Sequence, residues 1–271
     1  MALRAVVFHA EGCGLANRLR ALVGYQALAN LLKVPFYLCW VSDAACPCRF
    51  EHLFETPLSL LNASGLRRFG QDTVFRDAVW FDEIWNRTAT DFAWREYLRE
   101  VHRCLQGLVP RRELLEPVRE FTVRHDLGNA LGVHIRHTDN LADYSRWAAA
   151  KLSWFDITKI SSLDGFIEVI RTAIRTRPVL LATDDATLEG RLKTLFPSLI
   201  SFPKSYTPAG FRSTPIEIAL SEMLLLGQCQ QIVGTYCSSF SQFSAVWGGI
   251  AYSEVIGREC VRSDWLTRMM L

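Results

Sequence analysis

Short apolar runs alternate with longer segments of helical period along most of the chain. Leu3–Phe8 predicts a strand. Leu15–Leu32 predicts a helix, with Leu15, Leu19, Leu22, Leu28 and Leu32 supplying much of an apolar stripe. Pro35–Trp40 predicts the next strand. From about residue 43 to 90 the pattern is less regular and is broken by Pro47, Pro57, Gly65 and Gly70. Helices are expected near Asp91–Leu105 and Arg111–Arg124. The alternation restarts at Asn129, with strand Leu131–Ile135, a loop, and a helix near Leu163–Arg175. Strand Val179–Thr183, helix Ala186–Leu195, short strand Ile200–Phe202, helix Pro215–Gln228, strand Ile232–Gly234 and helix Ser239–Trp247 complete the pattern. Alternation of this kind predicts an α/β protein with largely parallel sheets. A length of 271 residues fits two domains, and the restart divides them into 1–127 and 128–271.

Composition narrows the class. An apolar fraction of 49 % supports a sizeable core and excludes a disordered chain. A net charge of +2 argues against a nucleic-acid binder, while leaving room for a local cationic pocket. Leu19–Val41 is the longest apolar region, and Arg20, Gln26, Asn30, Lys33 and Pro35 interrupt it, so no transmembrane helix is expected. No signal peptide is expected either, and a cytoplasmic location follows as the expectation. The eight cysteines show no CxxC spacing, which disfavours zinc and suits reduced, partly buried thiols.

Three strand ends carry candidate chemistry. In Gly132-Val-His-Ile-Arg-His-Thr-Asp139, Val133 and Ile135 point to one face and His134 and Arg136 to the other. An arginine at the C-terminal end of a parallel strand suits phosphate, because its planar fork stays charged and offers several donors. A structural salt bridge with Asp139 and a core imidazole are the plainer alternative. Gly12-Cys-Gly-Leu-Ala-Asn-Arg-Leu-Arg20 follows the first strand and opens the first helix. It is neither a dinucleotide fingerprint nor a P-loop. Gly234-Thr-Tyr-Cys-Ser-Ser-Phe-Ser241 follows a strand and begins a helix. Its hydroxyls cap that helix, or cradle a diphosphate together with the free N–H groups. Asp184 and Asp185 end the strand between these motifs, where a helix cap, a sugar contact or a metal ligand would each use them. No DxD metal signature occurs.

Taken together, in this order, the segments resemble the NodZ-like, core alpha-1,6- and protein O-fucosyltransferase-like glycosyltransferases. The first loop resembles their Gly-x-Gly-x-x-Asn segment, and Gly132–Asp139 their Gly-Val-His-x-Arg-x-Thr-Asp motif. Ala182–Asp185 resembles their Ala-Thr-Asp-Asp strand end, and Ile232–Ser239 their last motif. The resemblance spans nearly the whole chain. It implies a GT-B architecture of two Rossmann-like domains facing a cleft. The C-terminal domain would bind GDP-fucose, and transfer would be inverting and metal-independent, with no cofactor. Partners would be the donor and a glycan, glycolipid, natural-product or peptide acceptor.

Residue by residue, the resemblance gives Arg136 the β-phosphate and the departing GDP, and His134 the guanosine part. Ser238 and Ser239 would donate to the diphosphate. Glu222 stands where relatives carry a guanine-reading Asp, and a carboxylate can accept from both guanine donors; a solvated helix residue is the plainer alternative. Gly14, Asn17 and Arg18 would contact fucose or acceptor from the N-terminal domain, with Asp184 and Asp185 as further substrate contacts. Two departures stand out. His137 replaces a second arginine, so donor affinity would fall as pH rises through its pKa. Tyr144 occupies the place of a proposed catalytic Glu, which leaves the adjacent Asp143 as the candidate base. Trp147, Trp154 and Phe155 suit core packing first, and are the candidate acceptor contacts otherwise. Three alternatives compete with fucosyl transfer: a GT-B enzyme using another nucleotide sugar, an inactive nucleotide sensor, and a purely structural α/β protein with chance motifs.

Overall fold

The structure is a computed structural model that describes residues 3–87, 92–136, 161–206 and 214–264. The chain forms two compact units that divide between Leu115 and Glu116, ahead of the boundary expected at 127/128. No helix among the described residues is long and apolar enough to cross a membrane. All eight cysteines are free thiols.

The first unit contains β1 (Val6–Ala10), α1 (Leu15–Leu32), β2 (Phe36–Trp40), α2 (Phe50–Leu53), α3 (Ala63–Leu66), β3 (Val74–Phe75), α4 (Phe81–Arg87) and α5 (Trp94–Gln106). Its three strands are parallel in the order β2-β1-β3. β1 continues past its expected end at Phe8, because His9 is accommodated in the sheet: its imidazole pairs with the Arg76 guanidinium. Tyr25 on α1 stacks on Phe8 and Phe75, which ties the helix to two strands. α6 (Arg112–Arg124) carries the division between the units.

The second unit contains β4 (Leu131–Ile135), α7 (Leu163–Ala173), β5 (Val179–Thr183), α8 (Ala186–Leu195), β6 (Ile200–Ser201), α9 (Ile216–Gly227), β7 (Gln231–Thr235), α10 (Ser239–Gly248), β8 (Ala251–Ile256) and β9 (Glu259–Arg262). The sheet order is β6-β5-β4-β7-β8-β9, parallel except for β9, which runs antiparallel to β8. Both faces of the sheet are covered. Val133 and Ile135 join Phe166 and Ile170 of α7 and Leu188 and Leu192 of α8 in one core cluster. On the opposite face, a Cβ on Gly132 would meet Leu226 of α9 at 2.9 Å, and His134 stacks on Phe240 of α10. The near-continuous apolar runs of β4 and β5 follow from this double coverage.

α9 and α10 touch backbone to backbone. A Cβ on Gly248 would overlap the carbonyl group of Gly227, and backbone cannot give way as a side chain tip can. Gly248→Ala is therefore expected to destabilise the protein by about 1–3 kcal/mol. Urea denaturation of the variant would measure this, and an unchanged midpoint would refute the close packing.

Candidate functional site

Numbered within the second unit, the strand order is 3-2-1-4-5-6, the doubly wound arrangement. The first strand, β4, has β5 and β6 on one side and β7 and β8 on the other. The order therefore reverses between β4 and β7, and ligands of open α/β sheets bind outside the carboxyl ends of strands at such a point. Two of the sequence motifs meet there. The backbone N–H of Arg136, just past β4, donates to Thr235 Oγ1 at the end of β7 (3.0 Å). Thr235 in turn donates to the His134 carbonyl (3.3 Å). The Ser238 N–H bonds the Thr235 carbonyl (3.1 Å). One threonine thus fixes Arg136 relative to the start of α10.

His134 is buried with its ring stacked on Phe240 (centroids 4.7 Å apart). Ser238 is the N-cap of α10, yet its side chain makes no capping bond. Its Oγ is buried, with the residue 3 % exposed, and has no hydrogen-bond partner among the described residues. Ser239 follows, half-buried, as the first helical residue. The first-turn N–H groups of a helix have no intrahelical acceptor and carry partial positive charge, so this end favours an anion.

The turn leading into α10 is held from below. Cys237 adopts φ 54°, and its N–H donates to Glu254 Oε1 on β8 (3.3 Å). The same oxygen accepts from Gln242 Nε2 (2.9 Å) and Tyr252 OH (3.2 Å). Burial pushes the Glu254 carboxyl up from its ordinary pKa, and the three donors only partly offset this. The Tyr236 N–H is fixed by Ser161 Oγ (2.8 Å). Thr235 lay within a sequence motif without a role assigned to it. Glu254 sits on a strand that the hydrophobic pattern did not resolve.

Asp185 is the N-cap of α8, its Oδ1 accepting from the Leu188 N–H (2.9 Å). Asp184 is half-buried beside it. Glu222 lies inside the unit, where Lys204 donates to its Oε1. Lys204 also donates to the Thr183 carbonyl at the end of β5 (2.8 Å) and lies 3.4 Å from Glu189. Burial pushes Glu222 up to about 7 against the pull of Lys204. Burial also opposes ionisation of Glu189, but bonds from Lys193, Ser201 and Tyr206 overcome it and hold the group at about 2. No sequence pattern pointed to Lys204.

In the first unit, Gly14 is the N-cap of α1 and Asn17 is half-buried. Arg18, expected to contact a substrate, is instead 0 % exposed. Its guanidinium donates to the carbonyls of Cys13 (2.7 Å), Ala10 (3.0 Å) and Val41, and to Asp43 Oδ2 (2.6 Å). Asp43 also accepts from the N–H groups of Gly12, Ala45 and Cys46. Burial disfavours its charge, but these donors and Arg18 win and lower its pKa. Arg18 thus anchors the loop after β1 to the loop after β2. Asp143, His137, Asp139, Tyr144, Trp147, Trp154 and Phe155 lie outside the described residues.

No family profile and no curated protein sequence matches the chain. Solved structures do match its fold. The fucosyltransferase NodZ from Bradyrhizobium is similar over 97 % of this chain and 99 % of its own, with 16 % identity and a TM-score of 0.59. Arabidopsis thaliana FUT1, in a mutant form in complex with GDP, is similar over 97 % of this chain and 74 % of its own, with 14 % identity and a TM-score of 0.56. POFUT1 in complex with GDP-fucose is similar over 92 % of this chain and 94 % of its own, with 14 % identity and a TM-score of 0.52. The chain shares the GT-B type α/β fold of these proteins.

Proposed function

We propose that the chain is a glycosyltransferase that moves fucose from GDP-fucose to a hydroxyl of a glycan or other acceptor, with inversion and without a metal. The observation that carries this reading is the Ser238 hydroxyl, buried without a partner among the described residues where α10 begins and tied through Thr235 to Arg136. An unsatisfied buried hydroxyl costs about 1–3 kcal/mol, which a ligand oxygen would relieve. The fold likeness to proteins described in complex with GDP and GDP-fucose supports a guanosine diphosphate as that ligand.

Cleavage of the fucosyl C1–O bond leaves positive charge on the ring and negative charge on the β-phosphate. A fixed donor array on the leaving group lowers that barrier more than a strong nucleophile does. Arg136, the Ser238 and Ser239 hydroxyls and the first-turn N–H groups of α10 form the array. The acceptor hydroxyl attacks from the opposite face and passes its proton to a carboxylate, for which Asp143 is the sequence's candidate.

Ser238→Ala separates stability from binding. It removes an unsatisfied group, so stability should stay level or rise, whereas GDP affinity should fall by roughly tenfold. Denaturation and titration of the same sample check both, and a destabilised variant with full affinity would overturn the assignment. The reaction itself is tested by measuring nucleotide release from GDP-fucose, GDP-mannose and UDP-glucose in EDTA with a panel of glycan acceptors. Turnover of GDP-fucose is expected. Turnover of another donor alone would point to a different transferase, and binding without turnover to a sensor.

A further inference from the structure

The first unit has a topological switch point of its own. β1 lies between β2 and β3, so the crevice outside the carboxyl ends of β1 and β3 is where an α/β sheet takes a ligand. An open cavity of about 750 Å³, within the 300–1,000 Å³ range of small-ligand sites, runs along β3 from α3 and Gln71 ahead of the strand to His9 and Arg76 at this end of the sheet. His9 at the end of β1 and Arg76 immediately after β3 both line it. The Arg76 guanidinium donates to His9 Nδ1. That directs the remaining imidazole N–H, at Nε2, towards Glu11 (3.5 Å). Burial and the neighbouring Arg76 lower the pKa of His9, which keeps the imidazole a neutral acceptor that orients the guanidinium.

Arg67 also lines the cavity. Both arginines are exposed, and among the described residues neither has a carboxylate at ion-pair distance. Phe69 and Phe75, each half-buried, supply aromatic surface, and Asp77 brings a single carboxylate. This set is selective. Guanidinium forks suit an anionic group, aromatic faces suit the apolar face of a ring, and a carboxylate beside them suits hydroxyl donors. A densely charged polyphosphate would be repelled by Asp77, whereas a hydroxyl-rich ring with one acidic group suits the arginines and the aromatic surface without that repulsion.

We propose that this cavity binds an anionic sugar, with its acidic group on Arg76 and Arg67 and its ring against Phe69 and Phe75. On the transferase reading above, that sugar belongs to the acceptor, so the acceptor is an acidic glycan. The binding claim itself stands without that reading.

The test is calorimetric titration of the whole chain with digalacturonate, glucose 6-phosphate and neutral cellobiose, for wild type, Arg76→Ala and Arg67→Ala. At least one acidic sugar should bind saturably and roughly tenfold tighter than cellobiose. Which of the two binds tighter assigns the charge to a carboxylate or a phosphate. Each alanine variant should lose about tenfold in that affinity. Cellobiose binding as tightly, no saturable binding of either acid, or unchanged affinity in both variants would overturn the proposal. GDP titrated into the same samples reports on the second unit separately. Failure of GDP alone would remove the acceptor role, and failure of the acidic sugars alone would remove the cavity's ligand.

Discussion

Arg136→Ala is expected to lower kcat/KM for the proposed sugar transfer by roughly three orders of magnitude, while the fold survives. The size of the effect follows from where the charge develops. In the proposed reaction the leaving diphosphate gains negative charge, and Arg136 is a permanent cation whose backbone is held at the switch point between β4 and β7. The variant keeps its fold because the bond to Thr235 Oγ1 comes from the backbone N–H, which alanine retains. Arg136→Lys should recover only part of the rate, since a lysine keeps the charge but loses the planar fork. Initial rates with saturating acceptor, alongside thermal unfolding, measure both quantities. Wild-type turnover in the alanine variant contradicts the assignment.

Lys204→Met gives the second large effect, on stability. The Lys204 side chain is 1 % exposed and is bonded to Glu222, which is itself buried. Removing the cation leaves a buried carboxylate without its counter-charge, and breaking such a pair costs about 3–5 kcal/mol. The loss depends on pH in a definite direction. Burial raises Glu222 to about 7 in the folded protein, from an ordinary value of 4.5. The folded state then binds the proton more tightly than the unfolded state, so this group lowers stability as pH rises between those values. Lys204 is what restrains the shift. In the variant the folded value rises further, and the loss extends above pH 7. Denaturant midpoints at pH 5 and pH 8 should differ more for Lys204→Met than for wild type. Adding Glu222→Gln should restore much of the stability at pH 8. Equal losses at both pH values contradict a buried ion pair.

The regular parts of the fold were legible because their hydrophobic period is set by burial. β4 and β5 read as apolar runs because helices cover both faces of the sheet, and both strands match their expected bounds. β3 has two residues and could not be distinguished within an irregular region. β8 and β9 lay past the last segment assigned, and every residue of β9 is exposed, so no buried face imposes a period on it. The alternation of Val133 and Ile135 against His134 is seen directly in the core cluster and the ring stack. Partners distant in sequence were not legible. Arg18 reads as a cation beside a glycine loop, but Asp43 and three carbonyls enclose it. Glu222 reads as an available carboxylate on a helix, but Lys204 meets it from the loop after β6. Glu254 supports the start of α10 from a neighbouring strand, a contact created by strand order alone.

The proposed reaction depends on a guanosine diphosphate held, without a metal, in the crevice between β4 and β7. Calorimetric titration of wild type with GDP and with UDP, both in EDTA, tests it most directly. Saturable GDP binding at one site, at least about tenfold tighter than UDP, is the expected result. Tighter binding of UDP, or no binding of GDP until a divalent cation is added, would contradict it.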